Sequence, residues 1–465
     1  MPNHHPKTGS PLYWPASQLI ADYRSGVLSP VEVLDEAIHR IDAFNPTLNA
    51  FLSRQNDMAR EQAIAAERAY QNNEAGPLCG VPVSIKDTFH INGMVTTFGS
   101  RAYEDNLVDY DSGVVKRLRA SGAVFTGKTN TAEFGQSATT ENRFAIDCRN
   151  PWNIECTTGG SSGGAAASVA AGLSTLAVGA DGGGSIRIPA AFTGVFGIKP
   201  TYGFCKDEGG GRAMSDFISP GPFSRCVADS RLMLSVLTDA KYQRDSLGPL
   251  RIAWCPRPGN WAIDPEVLEV TQRAVMYLES MGHDIVETDL PLDSWSEAFA
   301  PLVLAEEHRE RSHLLKECPD VLTGYERKTL EIAANVTSDE VDQARQNQQV
   351  YSQRIENLFK GYDLILLPTT SVPAFPIKQR PKEIGGQEVD WLWGAFPATA
   401  PFNVSGNPAA TLPCGMVGEL PVGLQIVGPH LGEALILDLA EDLEQAINFD
   451  YSSLMAKWSL APETV

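Results

Sequence analysis

The chain has 465 residues, of which 43% are hydrophobic and 20% are charged, and its formal net charge is −20. This size and composition are typical of a globular protein that buries a large core. The acidic charge argues against direct binding of nucleic acid or of an anionic membrane, because both require a basic patch. No segment approaches a membrane span in length, and residues 1–15 lack the apolar core of a secretory signal.

Cysteine and histidine usage indicates the compartment and the need for metals. The eight cysteines are scattered along the chain without a C-x-x-C pair. This distribution is typical of reduced, buried thiols, so we expect a cytoplasmic protein. The eight histidines form no pair with recognised zinc-ligand spacing, and we expect neither a metal nor a cofactor.

Strands and helices are predicted to alternate in the first half of the chain. Residues 1–75 have helical periodicity, with a capping box at Ser29 and Glu32. A strand over residues 81–85 is expected to hold Lys86 at its end. Further along we predict helices over residues 111–121 and 163–171 and strands over residues 123–126 and 176–180.

The second half repeats the alternation, which predicts an α/β fold with helices covering both faces of a sheet. We expect a loop over residues 368–400. The predicted strands are 252–255, 284–288, 363–367, 409–412 and 423–427, and the predicted helices are 265–281, 338–360 and 433–446.

Two glycine-rich clusters contain the most informative residues. Residues 159–164 read GGSSGG, and residues 181–187 read DGGGSIR. Glycine is costly to order, so such density indicates that bare backbone N–H groups must approach another group closely. An oxyanion beside a nucleophilic hydroxyl is the expected group.

These clusters, together with the segment VSIKD at residues 83–87, resemble the three sequence blocks of the amidase signature family. The second glycine cluster continues the resemblance through residues 188–191. Similarity extends through residues 194–201 to residues 420–425. One departure is Gly182, which stands where members of that family usually carry a side chain.

The resemblance implies a large, twisted, mixed and mostly parallel β-sheet covered by helices on both faces. It also implies a catalytic triad in which Ser185 is the nucleophile. Ser161, on a cis peptide bond, then passes the proton of Ser185 to Lys86. The oxyanion hole is expected at the backbone of Gly182, Gly183 and Gly184.

Lys86 must be uncharged to act as a base. A lysine with an ordinary pKa of about 10.4 is almost entirely protonated at neutral pH. Asp87 would raise the pKa of Lys86 further, so we expect burial at the end of the strand to lower it to about 7–8. The ordinary alternative is an exposed Lys86–Asp87 pair.

The predicted reaction is hydrolysis of the C–N bond of a small amide through an acyl-enzyme on Ser185. Esters and carbamates follow the same route. Aromatic side chains indicate an apolar or aryl substrate, although each of them is equally suited to fill the core. The residues proposed to bind substrate are Ser162, Phe134, Gly135, Phe144, Trp391, Trp393, Phe396 and Phe402.

We expect a single domain over residues 1–465, acting as a monomer or homodimer on a small molecule. Its predicted parts are N-terminal helices (1–75), a catalytic core (76–228), a variable helical insertion (229–360) and the C-terminal part of the core (361–465).

Three alternatives remain open. The chain also resembles the glutamine-hydrolysing component of a glutamyl-tRNA amidotransferase, which depends on partners. Residues 122–129 match the nucleotide-binding pattern G-x-x-x-x-G-K-[ST]. Residues 159–163 match the G-x-S-x-G elbow of α/β-hydrolases, for which Asp363 and His430 are the available partners.

Overall fold

In a computed structural model of the chain, the structure describes residues 9–144 and 146–460. Residues 1–8, part of the segment in which no secretory signal is expected, lie outside the described residues. Among the helices of the described residues, none is long and apolar enough to cross a membrane.

The strands of the described residues are, in chain order, β1 (Phe51–Ser53), β2 (Pro82–Lys86), β3 (Val124–Thr129), β4 (Leu176–Asp181), β5 (Phe196–Lys199), β6 (Ser219–Ser224), β7 (Arg251–Trp254), β8 (Asp284–Glu287), β9 (Leu364–Pro368), β10 (Glu383–Ile384), β11 (Gln387–Glu388), β12 (Ala409–Val417) and β13 (Leu420–Val427). Eleven of them form the central sheet, in the order β1-β3-β2-β4-β6-β5-β12-β13-β9-β7-β8, and β10 and β11 pair with each other.

Strand pairing in the sheet is mixed. Parallel pairing joins β2 to β3 and β4, and it joins β7 to β8 and β9. The other six neighbouring pairs are antiparallel. The predicted large mixed sheet is confirmed, with a greater antiparallel share than we expected. The antiparallel pairs are concentrated in the middle of the sheet, where β12 and β13 form a hairpin and β6 runs antiparallel to both of its neighbours.

Helices pack on both faces of the sheet, as predicted. They are α1 (Ala16–Ser25), α2 (Pro30–Leu48), α3 (Asn56–Gln71), α4 (Gly113–Ala120), α5 (Gly163–Ala170), α6 (Arg187–Thr193), α7 (Val227–Thr238), α8 (Pro265–Ser280), α9 (Ser296–Arg311), α10 (Leu314–Glu317), α11 (Gly324–Ala333), α12 (Ser338–Glu356), α13 (Pro401–Val404), α14 (Glu433–Ile447) and α15 (Ser452–Lys457).

The alternation of side chains along β9 shows how the two faces are covered. Leu364 and Leu366 belong to a buried cluster with residues of α7, α8 and α14. Ile365 and Leu367 belong to a different cluster with residues of α9 and α12. Because successive strand residues point to opposite faces, these clusters lie on the two sides of the sheet.

Most predicted elements lie within a few residues of their expected bounds, and the capping box at Ser29 and Glu32 is confirmed. Residues 1–75, predicted as helical, also contain β1. The strands β5 and β6 and the helix α6 had no counterpart in the prediction. The sequence of β6, SPGPFS, contains two prolines and a glycine, which are depleted in strands.

Close packing of α6 on β13 positions the segment that follows Ser185. A Cβ atom on Gly423 in β13 would lie 2.5 Å from Thr411 Cγ2 and 2.8 Å from Ala191 Cβ. Ala191 lies in α6, which begins at Arg187. The missing side chain at position 423 therefore lets this helix approach the sheet.

We expect Gly423→Ala to lower the free energy of unfolding by about 1–3 kcal/mol, because α6 must move away from β13. Urea denaturation measures the change. Gly248→Ala is the control, since no heavy atom lies within 4 Å of its added Cβ. Equal stability of Gly423→Ala and the parent protein would contradict this packing argument.

Candidate active site

Three predicted catalytic residues meet at one edge of the sheet. Lys86 is the last residue of β2, and Ser185 follows the end of β4. These two strands are parallel neighbours, so their carboxyl ends lie side by side. Ser161 precedes α5 and lines the same cavity of about 750 Å³ as Lys86 and Ser185.

Lys86 and Ser161 are in direct contact. The Lys86 Nζ donates a hydrogen bond of 2.8 Å to Ser161 Oγ and one of 3.4 Å to the Ala180 carbonyl. Only 2% of Lys86 is exposed to solvent. The peptide bond between Gly160 and Ser161 is cis, as the resemblance implies.

Burial changes the protonation of Lys86. Desolvation lowers the pKa of Lys86 to about 7, while the Asp181 carboxylate acts in the opposite direction and favours the charged form. An amine with this pKa is substantially neutral at physiological pH. The alternative of an exposed lysine at this position is therefore wrong.

Asp87 does not pair with its sequence neighbour Lys86 but with Lys128. Its Oδ1 lies 2.9 Å from the Nζ of Lys128, and both side chains are buried. Lys128 is the lysine of the nucleotide-binding pattern at residues 122–129. Most of that pattern forms the buried strand β3, so it lacks the loop that a phosphate site requires.

The two glycine clusters contact each other through their backbones. The N–H of Ser162 donates to the carbonyl of Ser185 at 3.2 Å. The Ser162 Oγ donates to the Ala180 carbonyl at 3.2 Å, and Ser162 is fully buried outside the cavity lining. Ser162 therefore joins the first cluster to β4, and its contact with substrate stays a prediction.

The carboxylate of Asp181 organises the second glycine cluster. Its Oδ1 accepts from the Gly184 N–H at 2.7 Å, and its Oδ2 accepts from the Ile186 N–H at 3.1 Å. The N–H of Gly184 is thus already used within the loop. Of the three predicted oxyanion donors, Gly182 and Gly183 therefore remain, and their role stays a prediction.

Arg187 neutralises Asp181 inside the protein. Its Nε and Nη2 donate to the two carboxylate oxygens at 2.9 Å each. Burial is the largest single influence and raises the pKa of Asp181, but the charge and hydrogen bonds of Arg187, together with the Lys199 charge and the Asn403 hydrogen bond, outweigh it and hold the pKa below its ordinary value. Arg187 also donates to Thr399 O, Gln425 Oε1 and Asn403 Oδ1, which tie the loop to the C-terminal part of the chain.

Phe134 and Gly135 line the cavity as predicted, but the other proposed aromatic residues do not. Phe396 and Phe402 are fully buried in the core. Trp391 is 52% exposed, with the Arg380 guanidinium over its ring. None of these three residues, nor Phe144 or Trp393, lines the cavity, and their contact with substrate stays a prediction.

The cavity wall is built instead from aromatic and apolar residues that the sequence did not single out. Edge-to-face contacts join Phe98 to Tyr103 at 5.4 Å and Tyr103 to Phe134 at 5.7 Å. The Arg311 guanidinium covers the Phe134 ring at 4.9 Å. Phe89 follows Lys86 closely in the chain, and that proximity was its only sequence signal. The additional apolar lining residues are Phe89, Phe98, Tyr103, Met214 and Ile218.

The residues required for an α/β-hydrolase triad lie elsewhere. His430 Nε2 hydrogen-bonds to the Ser405 carbonyl at 2.9 Å, and Asp363 Oδ2 accepts from the Arg251 N–H at 2.7 Å. Neither His430 nor Asp363 lines the cavity with Ser161. This alternative is therefore wrong.

We expect Asp181→Asn to lower the free energy of unfolding by about 3–5 kcal/mol, because it leaves the buried Arg187 charge without a counter-charge. Chemical denaturation followed by circular dichroism measures the change. Glu269→Gln is the matched control, since the Glu269–Arg273 pair is exposed and its loss costs at most about 1 kcal/mol. Equal stability of the two variants would contradict the assigned role of Asp181.

Comparison with known proteins gives the family. The family model described as Amidase matches residues 32–437. An acylamidase of Rhodococcus erythropolis is 35% identical over 464 residues, which cover 93% of this chain and 95% of that protein. One subunit of the glutamyl-tRNA(Gln) amidotransferase of Halothermothrix orenii is 33% identical over 470 residues, covering 91% of this chain and 95% of that protein.

A solved structure agrees with these matches. The crystal structure of a bacterial aryl acylamidase of the amidase signature family superposes with a TM-score of 0.87 and 27% identity, covering 97% of this chain and 99% of that one. The family model, the relatives and the shared fold lead to one conclusion: the chain belongs to the amidase family and is an amide-hydrolysing enzyme of the amidase signature type.

Proposed function

We propose that this enzyme cleaves the C–N bond of a small amide through an acyl-enzyme on Ser185, with Ser161 and Lys86 as the proton relay. The observation that carries the proposal is the 2.8 Å hydrogen bond between Lys86 Nζ and Ser161 Oγ beside a cavity that Ser185 also lines. A buried amine with a lowered pKa is suited to accept a proton from a hydroxyl at neutral pH.

In the first step the Ser185 Oγ attacks the carbonyl carbon of the substrate. Its proton moves to Ser161 Oγ, and the proton of Ser161 moves to Lys86 Nζ. The carbonyl π electrons move to oxygen, and backbone N–H groups of Gly182 and Gly183 stabilise that oxyanion.

In the second step the tetrahedral intermediate collapses and the C–N bond breaks. The relay returns the proton from Lys86 through Ser161 to the leaving nitrogen, which departs as an amine or as ammonia. Water then attacks the ester on Ser185, with the same relay as base, and releases a carboxylic acid.

An apolar or aryl group is the substrate feature that the cavity favours. Phe98, Tyr103 and Phe134 form a continuous aromatic wall beside the catalytic residues. Such a wall gains binding free energy from apolar surface. Aryl esters and carbamates of similar shape fit the same proposal.

A second candidate is the glutamine-hydrolysing component of a glutamyl-tRNA amidotransferase. Its support is the 33% identity to one subunit of such an enzyme. The two candidates differ in what the isolated chain does. Hydrolysis of aryl amides by the purified chain supports the first, whereas glutaminase activity that appears only with added partner proteins supports the second.

Three further expectations accompany the proposal. The chain functions as one domain over residues 1–465, as a monomer or homodimer. Its scattered cysteines are those of a cytoplasmic protein. These remain predictions.

We expect kcat/KM to rise with pH up to about 7 and then to level off. Desolvation lowers the pKa of Lys86 to about 7, and the base is active only when neutral, so protonation below that pH removes activity. Well below pH 7, kcat/KM is expected to increase by nearly tenfold for each pH unit. A pH–rate profile with an aryl amide measures it.

Lys86→Arg is the control for this profile, because a guanidinium stays charged throughout the accessible pH range. We expect this variant to be inactive at every pH. An acidic optimum in the parent enzyme would contradict a lysine base.

We expect Ser185→Ala to lower kcat by about 10³–10⁶-fold, because the nucleophile and its relay act as a unit. Mass spectrometry of the parent enzyme, quenched during turnover, should find the acyl group on Ser185. Ser246→Ala is the matched control, since Ser246 is exposed and distant in sequence from both glycine clusters. Residual activity of Ser185→Ala within tenfold of the parent would refute the assignment.

A further inference from the structure

We propose that Met214 determines the size of the acyl group that the enzyme accepts. The proposal rests on the proposed function and extends it to substrate choice. Met214 lines the cavity together with Gly182 and Ser185. Its side chain occupies the space in which a side chain at position 182 would otherwise lie.

The contact between Met214 and Gly182 is close. A Cβ atom on Gly182 would lie 2.6 Å from the Sδ of Met214 and 3.0 Å from its Cβ. Because real Cβ atoms do not approach other heavy atoms within 3.0 Å, position 182 accepts a side chain only if Met214 moves. The methionine is thus packed directly on the bare backbone of a proposed oxyanion donor.

Met214 differs from the residues that cover the neighbouring glycines. A Cβ on Gly183 would meet Phe299 and Trp393, and one on Gly184 would meet Thr399. None of these three residues is among those that line the cavity, whereas Met214 is. A change at Met214 therefore alters both the support of the loop and the space open to substrate.

The backbone around Met214 is held by hydrogen bonds. The Met214 carbonyl accepts from the N–H groups of Phe217 at 2.8 Å and Ile218 at 2.9 Å. The next residue, Ser215, donates its N–H to Glu306 in α9 at 2.7 Å. Met214 itself has a φ of 53° and is 9% exposed.

The orientation of the substrate follows from the position of the proton relay. The leaving nitrogen must lie near Ser161 to receive its proton, and a Cβ on Gly135 would lie 3.4 Å from Ser161 Oγ. Gly135 and Phe134 thus border the leaving-group side. Met214 borders the other glycine cluster, beside Gly182. With the leaving group next to Ser161, we assign the acyl substituent to the space beside Met214.

The test compares p-nitroanilides that share a leaving group and carry acetyl, butyryl, hexanoyl or benzoyl groups. For Met214→Ala we expect the kcat/KM ratio of hexanoyl to acetyl to rise by about tenfold or more, the range that a few methylene groups give in an apolar pocket. Met214→Leu conserves volume and is the matched control, for which we expect a ratio within about threefold of the parent.

Acetanilides with leaving groups of increasing size form the second series. We expect Met214→Ala to rank these acetanilides by kcat/KM in the same order as the parent enzyme does. An unchanged acyl ratio, or a change confined to the leaving-group series, would overturn the proposal.

A measurement without substrate separates this inference from the proposed function. Gly182→Ala is expected to lower the melting temperature, and the double variant Gly182→Ala/Met214→Ala to lose less than the sum of the single variants, because the smaller residue 214 makes room. Additive shifts would overturn the contact. If the parent enzyme instead hydrolyses no anilide and forms no acyl-serine, the proposed function fails while this coupling still reports on Met214.

Discussion

The buried ion pair between Asp181 and Arg187 fixes the geometry on which the rest of the site depends. Asp181 ends β4 and binds backbone N–H groups of the loop that carries Ser185. Arg187 begins α6 and extends the same network to Asn403 and Gln425. Because both charges are removed from water, each depends on the other, and a loop rich in glycine acquires a single arrangement. Glycine does not restrict the backbone conformation of this loop, so the loop depends on the ion pair to hold one conformation.

The same pair sets the electrostatics of the proposed base. Burial disfavours the charged form of Lys86, whereas the Asp181 carboxylate favours it. Arg187 offsets the negative charge of Asp181. Burial is the larger of the two influences on Lys86, and its pKa falls to about 7. Asp87, the nearest acid in sequence, is bound instead to Lys128 on the adjacent strand. Burial is thus the main reason why the proposed base loses its proton near neutral pH.

The division of the cavity follows from the two glycine clusters. On one side Gly135 leaves open space beside Ser161, and the aromatic wall continues through Phe134. On the other side Met214 fills the space beside Gly182. We propose that the leaving nitrogen lies beside Ser161 and Gly135 and that the acyl group lies beside Met214. The space beside Gly182, which has no side chain, is thus occupied by the side chain of Met214.

Features that depend on neighbours in the chain could be predicted from the amino-acid sequence. Hydrophobic alternation located β2, an apolar run located β4, capping residues located the start of α2, and glycine density marked the loops around Ser161 and Ser185. The remaining features rest on contacts between distant segments, which local sequence patterns do not encode. The strand β6 forms despite its prolines because β4 and β5 pair with it on both sides. Aromatic residues are equally suited to a core and to a pocket, so only the packed fold places Phe396 in one and Phe98 in the other.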